Sequence, residues 1–399
     1  MVATGRFRLN ITMEKQRPKS IKLSDCIWLR GEISEGQAGA AGERRALERL
    51  GIRIETLKHR RDQEGLTRIK KVIWDCDKHV ILHRLAHLEV EALFPIFKNR
   101  RNFSVVLCDW WSAPLWFTEN ADYLLFNLYN FFSVRAGMAP FADFWQTPLL
   151  ELPESNHWFE WLLRTTRLGN VALSPAMEVL NFWRRRKHPF QPERTVYFPL
   201  AIEADDVPLR PTEIKYDFSN LGGVHGLWLM RDPFVPTYFT GANLYVDRKK
   251  IADLILAPGS PFRTFDVRRE KRFVPWLEYC QIVRESRFTL ATPGLHDSAV
   301  PKFIESICLG TPIIGQPPRF EYPWLEKTLF PISYKTLNRQ NVRQTQEAAI
   351  AAHSKLRENC LNLRDDLLKL YSFENILKMA QDQLDGHPIP KGYLKNNAG

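Results

Sequence analysis

Short apolar runs alternate with helix-patterned segments along this chain. The alternation starts again after an acidic, proline-rich stretch at 203–213, EADDVPLRPTE. Parallel strands need a crossover between them, usually a helix, so strands and helices in alternation argue for a parallel sheet. A chain that does this twice predicts an α/β protein with two Rossmann-like domains. The 399 residues fit two domains at about 100–200 residues each. The expected division is a basic, disordered arm at 1–22, an N-terminal domain at 23–205, a C-terminal domain at 206–370, and a closing helix and tail at 371–399.

In the first half, Cys26–Arg30 (CIWLR) reads as a strand, followed by a small-residue loop with Gly31, Gly36, Gly39 and Gly42. ERRALERLG is a helix with Gly51 as its C-cap, and Ile52–Leu57 alternates as a strand does. Further readings are a short strand at Val72–Trp74, a helix over 78–98 carrying His79 and His83, and a strand at Phe103–Cys108 ending beside Asp109. Residues 123–168 are aromatic and mostly helical in pattern. Val171–Leu173 is a strand, Ser174 and Pro175 start a helix to Arg186, and RRRKHP (184–189) is a basic loop. Val196–Leu200 is a strand that enters the linker.

The second half reads as a strand at Tyr216–Leu221 with Gly222 and Gly223 after it, a helix at Val274–Arg284 and a strand at Phe288–Ala291. A helix at Pro301–Leu309 is stopped by Gly310. Pro312–Gly315 is a strand, and one or two polar helices fill 341–383.

Lys and Arg number 56 against 45 Asp and Glu, a formal charge of +11. That balance suits an anionic partner, a nucleotide diphosphate, a nucleic acid or an acidic membrane surface, and does not choose among them. The six Cys show no CxxC spacing, which argues against a zinc site and for a reducing compartment. Cys76, Cys108 and Cys308 sit in apolar runs and read as buried thiols. No window is apolar enough for a membrane span and no signal peptide is evident, so the chain reads as cytoplasmic, with peripheral membrane contact left open. The glycines after the first strand do not fit GxGxxG, which speaks against a Rossmann oxidoreductase. No zinc-finger or RNP-like motif points to nucleic acid.

Chemistry concentrates in Ser286–Gly315, SRFTLATPGLHDSAVPKFIESICLGTPIIG. A strand leads into a loop, and the helix beginning near Pro301 offers unpaired N–H groups suited to a phosphate. Glu305 lies about one turn into that helix, where a carboxylate can accept from both hydroxyls of a ribose. Asp297 lies eight residues earlier, within reach of a group carried on the same phosphates, and Lys302 offers them charge. The plain alternatives are a solvated helix residue for Glu305 and a turn or cap residue for Asp297.

This segment resembles the donor-binding motif of GT-B glycosyltransferases, in which a Glu, seven residues and a second Glu precede a G-T-P-V-V strand. Here Asp297, Pro301, Glu305 and CLGTPIIG occupy those places. The segment is also similar to exostosin-type transferases, in which a basic residue stands three positions before the Glu, as Lys302 does. KYDFSNLGG (215–223) with Arg231 and Asp232 resembles the first strand of a GT-B C-terminal domain, with a glycine turn and an Arg for the diphosphate. LSPAMEVLNFW and VYFPLAIEADD resemble the approach to the interdomain linker.

The resemblance implies the GT-B fold, two Rossmann-like domains facing across a cleft, and a metal-independent glycosyltransferase that moves a sugar from a nucleotide-diphosphate sugar to a glycan or lipid-linked acceptor. Its donor-binding set would be Gly222, Arg231, Gly294, His296, Asp297, Ser298, Lys302 and Glu305. No cofactor is implied; the donor is a substrate, with a UDP-sugar favoured. An inverting reaction would need a base in the first domain, for which Asp109, His79 and His83 are candidates. The DCD at 75–77 is the nearest approach to a DxD motif and lies far from the donor segment. Asp297 stands where the family has Glu, one methylene longer. An alternative reading is therefore a GT-B-like nucleotide- or glycan-binding protein without transferase activity.

Overall fold

In the computed structural model the described residues are 21–31, 40–58, 62–75, 77–85, 87–98, 102–107, 120–126, 194–222, 246–270, 274–292, 300–318, 322–333 and 336–394. They build two all-parallel sheets flanked by helices. The first holds β1 (Ile27–Gly31), β2 (Ile54–Leu57), β3 (Val80–His83), β4 (Phe103–Leu107), β5 (Leu124–Phe126) and β6 (Thr195–Tyr197), in the order β2-β1-β3-β4-β5-β6. Helices α1 (Ala40–Arg49), α2 (Gln63–Trp74) and α3 (His87–Phe97) connect its first four strands. The second holds β7 (Tyr216–Asn220), β8 (Thr264–Asp266), β9 (Ser286–Ala291), β10 (Ile313–Gly315) and β11 (Leu329–Pro331), in the order β11-β10-β9-β7-β8. Its helices are α4 (Val246–Ile255), α5 (Val267–Glu270), α6 (Trp276–Arg284) and α7 (Lys302–Cys308). The long α8 (Val342–Leu370) and α9 (Phe373–Leu384) close the chain.

Both sheets are wound alike. The first strand lies inside, the second pairs on one side of it, and the third pairs on the other. The strand order therefore reverses between β1 and β3, and again between β7 and β9. Crevices outside the carboxyl ends of such strands are where open parallel sheets bind ligands.

Most elements follow the sequence reading, and Gly51 does close α1 with a φ of +68°, which a side-chain-bearing residue resists. Three readings are corrected. Val72–Trp74 is the last turn of α2, which is capped by Asp62, whose carboxylate accepts from the Gly65 N–H at 2.8 Å. Residues 80–83, expected within a helix, are β3, and only 87–97 are helical. That strand is buried at all four positions, so it lacks the alternation that marks a half-exposed strand. Leu124–Phe126, expected within an aromatic helix, is β5. The readings at 127–193, including Ser174 and RRRKHP, lie outside the described residues. So does the arm through residue 20.

Helix α9 crosses from the second sheet to the first. Its Phe373 ring packs against Trp28, Phe198 and His83, at centroid distances of 5.7, 6.0 and 6.3 Å. One apolar cluster thereby runs from β1 (Trp28, Leu29) through α9 (Phe373, Ile376) to α7 (Phe303, Ile307). A second cluster covers the other face of the second sheet, with Phe218, Ile251, Phe288 and Ile314. Cys308 is buried, as expected; Cys76 and Cys108 lie outside the described residues.

Candidate functional site

The strands at the second switch point carry polar side chains inward. Ser219 of β7 meets Thr289 of β9 at 2.9 Å between hydroxyl oxygens. At the end of β7, Asn220 turns the chain back on itself. Its Oδ1 accepts from the Gly222 N–H and its Nδ2 donates to the Gly222 carbonyl, each at 3.2 Å. The same amide donates to Asp266 at the end of β8. Burial raises the Asp266 carboxyl, but the Arg268 guanidinium bonded to it outweighs this and holds it low, so it is ionised. The glycine turn is thus anchored to a charged network rather than left as a loop.

The absence of a side chain at Gly222 leaves room for the end of a lysine beside the turn. A Cβ there would lie 2.3 Å from Nζ of Lys302. Lys302 opens α7, and its ammonium also reaches the Leu290 carbonyl of β9 at 3.5 Å. A cation therefore sits over the turn at the point where β7 and β9 diverge.

Glu305 is one turn further along α7 and is buried, 8% exposed. The Tyr279 hydroxyl of α6 donates to its Oε2 at 2.8 Å. Burial pushes the Glu305 carboxyl up to about 7, against the pull of the Tyr279 bond, Lys302 and Arg84. The plain alternative, a solvated surface residue, does not describe it.

Arg84 belongs to the other sheet. It follows β3, and its charge is felt at Glu305, so the carboxyl ends of the two sheets approach each other. Arg84 has a φ of +51°, an uncommon backbone for a side-chain-bearing residue. It grips Glu43 of α1 with two bonds, at 2.6 and 2.9 Å. Arg30 of β1 is 3.4 Å from the same carboxylate. Burial raises Glu43, but Arg84 and Arg30 outweigh it and hold the carboxyl down at about 2. His83, 2% exposed, is held well below its usual range by burial and stays neutral.

Of the residues singled out in the sequence, the structure brings Gly222, Lys302 and Glu305 to one switch point. Asp109, Arg231, Gly294, His296, Asp297 and Ser298 lie outside the described residues. His79 and His83 are not on a helix: His79 precedes β3 and His83 ends it. His83 is enclosed by Trp28, Phe198 and Phe373, a core position unsuited to taking protons from an acceptor. His79 faces Ser104 at 2.8 Å and Asp122 at 3.7 Å. Asn220 and Tyr279 were missed. An Asn two residues before a glycine is a local turn signal that could have found the first. Tyr279, 26 residues from Glu305, carries no local signal. Among the described residues, no group of three or more His, Cys, Asp or Glu could hold a metal ion, and no helix is long and apolar enough to cross a membrane.

No family model and no curated protein matches the chain. Several solved structures do. HepE of Anabaena, in complex with UDP and glucose, is 10% identical and aligns over 91% of this chain and 100% of its own, with a TM-score of 0.45. Sucrose-phosphate synthase of Thermosynechococcus elongatus is 12% identical over 89% and 96%, with a TM-score of 0.44. A putative UDP-N-acetylglucosamine 2-epimerase of Listeria monocytogenes is 11% identical over 93% and 99%, with a TM-score of 0.38. At these identities the likeness lends no residue a role.

Proposed function

We propose that this protein is a metal-independent glycosyltransferase of the GT-B kind, which takes a sugar from a nucleotide-diphosphate sugar to a glycan or lipid-linked acceptor. The observation that carries this reading is the convergence of Gly222, Lys302 and Glu305 where β7 and β9 diverge. Gly222 lets a diphosphate approach the backbone. Lys302 supplies the countercharge there, together with Arg231. Glu305 takes the ribose hydroxyls, and Asp297 the transferred sugar.

In the reaction an acceptor oxygen forms a bond to the anomeric carbon as the bond to the diphosphate breaks. Negative charge grows on the departing diphosphate, and the Lys302 ammonium beside the Gly222 turn is the group that would stabilise it. Glu305, remote from the breaking bond, contributes binding energy that holds the donor in place. In an inverting reaction the acceptor proton goes to a base of the first domain, for which Asp109 is the sequence candidate; a retaining reaction needs no such base.

Thermal-shift measurements with UDP-, GDP-, ADP- and CMP-sugars test this reading. One of them raises the melting temperature of the native protein, and Glu305→Ala abolishes the rise. Equal stabilisation of the variant, or stabilisation by none, overturns it.

A further inference from the structure

We propose that Tyr279 is the positioning residue of the donor site: its hydroxyl fixes Oε2 of Glu305 so that the carboxylate meets a ribose diol in one orientation and in its charged form. This rests on the donor-site reading above and adds a residue that no resemblance implies.

The geometry comes first. A carboxylate offers about four lone-pair sites, the phenol takes one, and a vicinal diol needs two of the rest. The phenol itself cannot wander. Its ring is stacked on Trp276, with centroids 4.8 Å apart and planes at 14°. Trp276 is in turn fixed by its Nε1, which donates to the Asp206 carbonyl of the linker at 2.8 Å. Glu305 is thus held by a chain of contacts that begins between the two sheets. Phenylalanine would fill the same space without the cost of burying a hydroxyl, so the hydroxyl has to be accounted for by what it bonds.

Electrostatics give the bond its second consequence. The groups facing Glu305 are Lys302 and Cys308 on its own helix, Tyr279 and Cys280 on α6, and Arg84 beyond β3. Burial holds both thiols at about 12, so they are neutral. Lys302, Arg84 and the Tyr279 hydroxyl favour the carboxylate, and burial opposes it. Tyr279 is the one neutral donor of the three. Removing its hydroxyl leaves the burial in place and takes away a bond to the charged form, so the Glu305 titration moves up.

The test is calorimetric binding of UDP, GDP and ADP to the full chain from about pH 5 to about pH 9, spanning the carboxyl's possible range. In the native protein binding strengthens as pH rises through about 7 and then levels. In Tyr279→Phe the midpoint moves up by about one pH unit, the size expected for one bond to a charged group. A ring-fluorinated tyrosine at 279, a stronger donor in the same space, moves it down. In a Glu305→Gln background, Tyr279→Phe changes nothing further. A midpoint that does not move in either Tyr279 variant overturns the proposal. A carboxyl-carbon NMR titration of Glu305 separates the two ways of failing. A Tyr279-dependent titration without nucleotide binding overturns the ribose reading and keeps the coupling. Nucleotide binding with a Tyr279-independent titration does the reverse.

Discussion

Two buried glutamates show how neighbours decide the charge of a carboxyl. Glu43 and Glu305 are 2% and 8% exposed, so burial opposes ionisation in both. Glu43 has two guanidinium groups beside it and is held at about 2; Glu305 has one phenol bond and two more distant cations and rises to about 7. The consequences for stability have opposite signs. Glu43 contributes stability above the ordinary carboxylate range, and that contribution is lost only as pH falls towards about 2. For Glu305 the unfolded chain releases its proton first. Its contribution to stability is therefore greatest below the ordinary glutamate value of 4.5, declines as pH rises, and levels beyond about 7. Glu305→Gln removes this decline. Its melting temperature should match the native protein at the acid end of that window and exceed it above the window. Melts recorded across pH check this; parallel curves for the two proteins would contradict it.

At the scale of elements, α9 is tied to the first sheet by two glutamines that act as peptide mimics. Gln383 accepts from the Tyr197 N–H and donates to the Tyr197 carbonyl, both at 2.9 Å. Tyr197 lies in β6, the last strand of its sheet, so the side chain supplies the pairing a further strand would give. Gln381 does the same for the chain start, accepting from the Leu23 N–H at 2.9 Å and donating to the Ile21 carbonyl at 3.0 Å. Gln381→Ala or Gln383→Ala removes both bonds of its clamp, with a third bond along α9, and should cost about 1–3 kcal/mol, seen as a lower denaturation midpoint. Glu at either position keeps the acceptor and loses the donor, so it should cost as much. None of this clamp is legible in the sequence, where Gln381 and Gln383 are two polar residues of a polar helix. What is legible is whatever a local pattern can encode. Gly51, Gly222, Lys302 and Glu305 announce themselves by type and spacing. β3 does not, because an apolar run buried on both faces reads equally as helix. Tyr279 and Arg84 do not, because each gains its role only when separate elements are packed together.

For the whole molecule, the folding units are not contiguous pieces of chain. The linker at 203–213 divides the sequence, yet α9, at the far end, completes the core of the first sheet. Phe373, Ile376, Leu377 and Met379 are buried on it. At about 1.5–3 kcal/mol for each large apolar side chain, they contribute about 6–12 kcal/mol. That is comparable to the entire net stability of a typical domain, about 5–15 kcal/mol. A chain ending at Leu370 should therefore lose its first sheet while keeping the second, and residues 1–205 expressed alone should not fold. Joining residues 371–394 to that fragment should restore it. Hydrogen exchange at β1 and β3 reads the outcome: protection absent in the truncated chain and the fragment, and present in the fusion. Protection of β1 in the fragment alone would show that the first sheet needs nothing from α9. The same crossing bears on function. The linker contact from Trp276 to Asp206 and the ion pair from Asp206 to Arg45 of α1, at 2.7 Å, join the surroundings of Glu305 to the first sheet along a second route. Any movement of the two sheets relative to each other must therefore be accommodated by α9 and by this linker together.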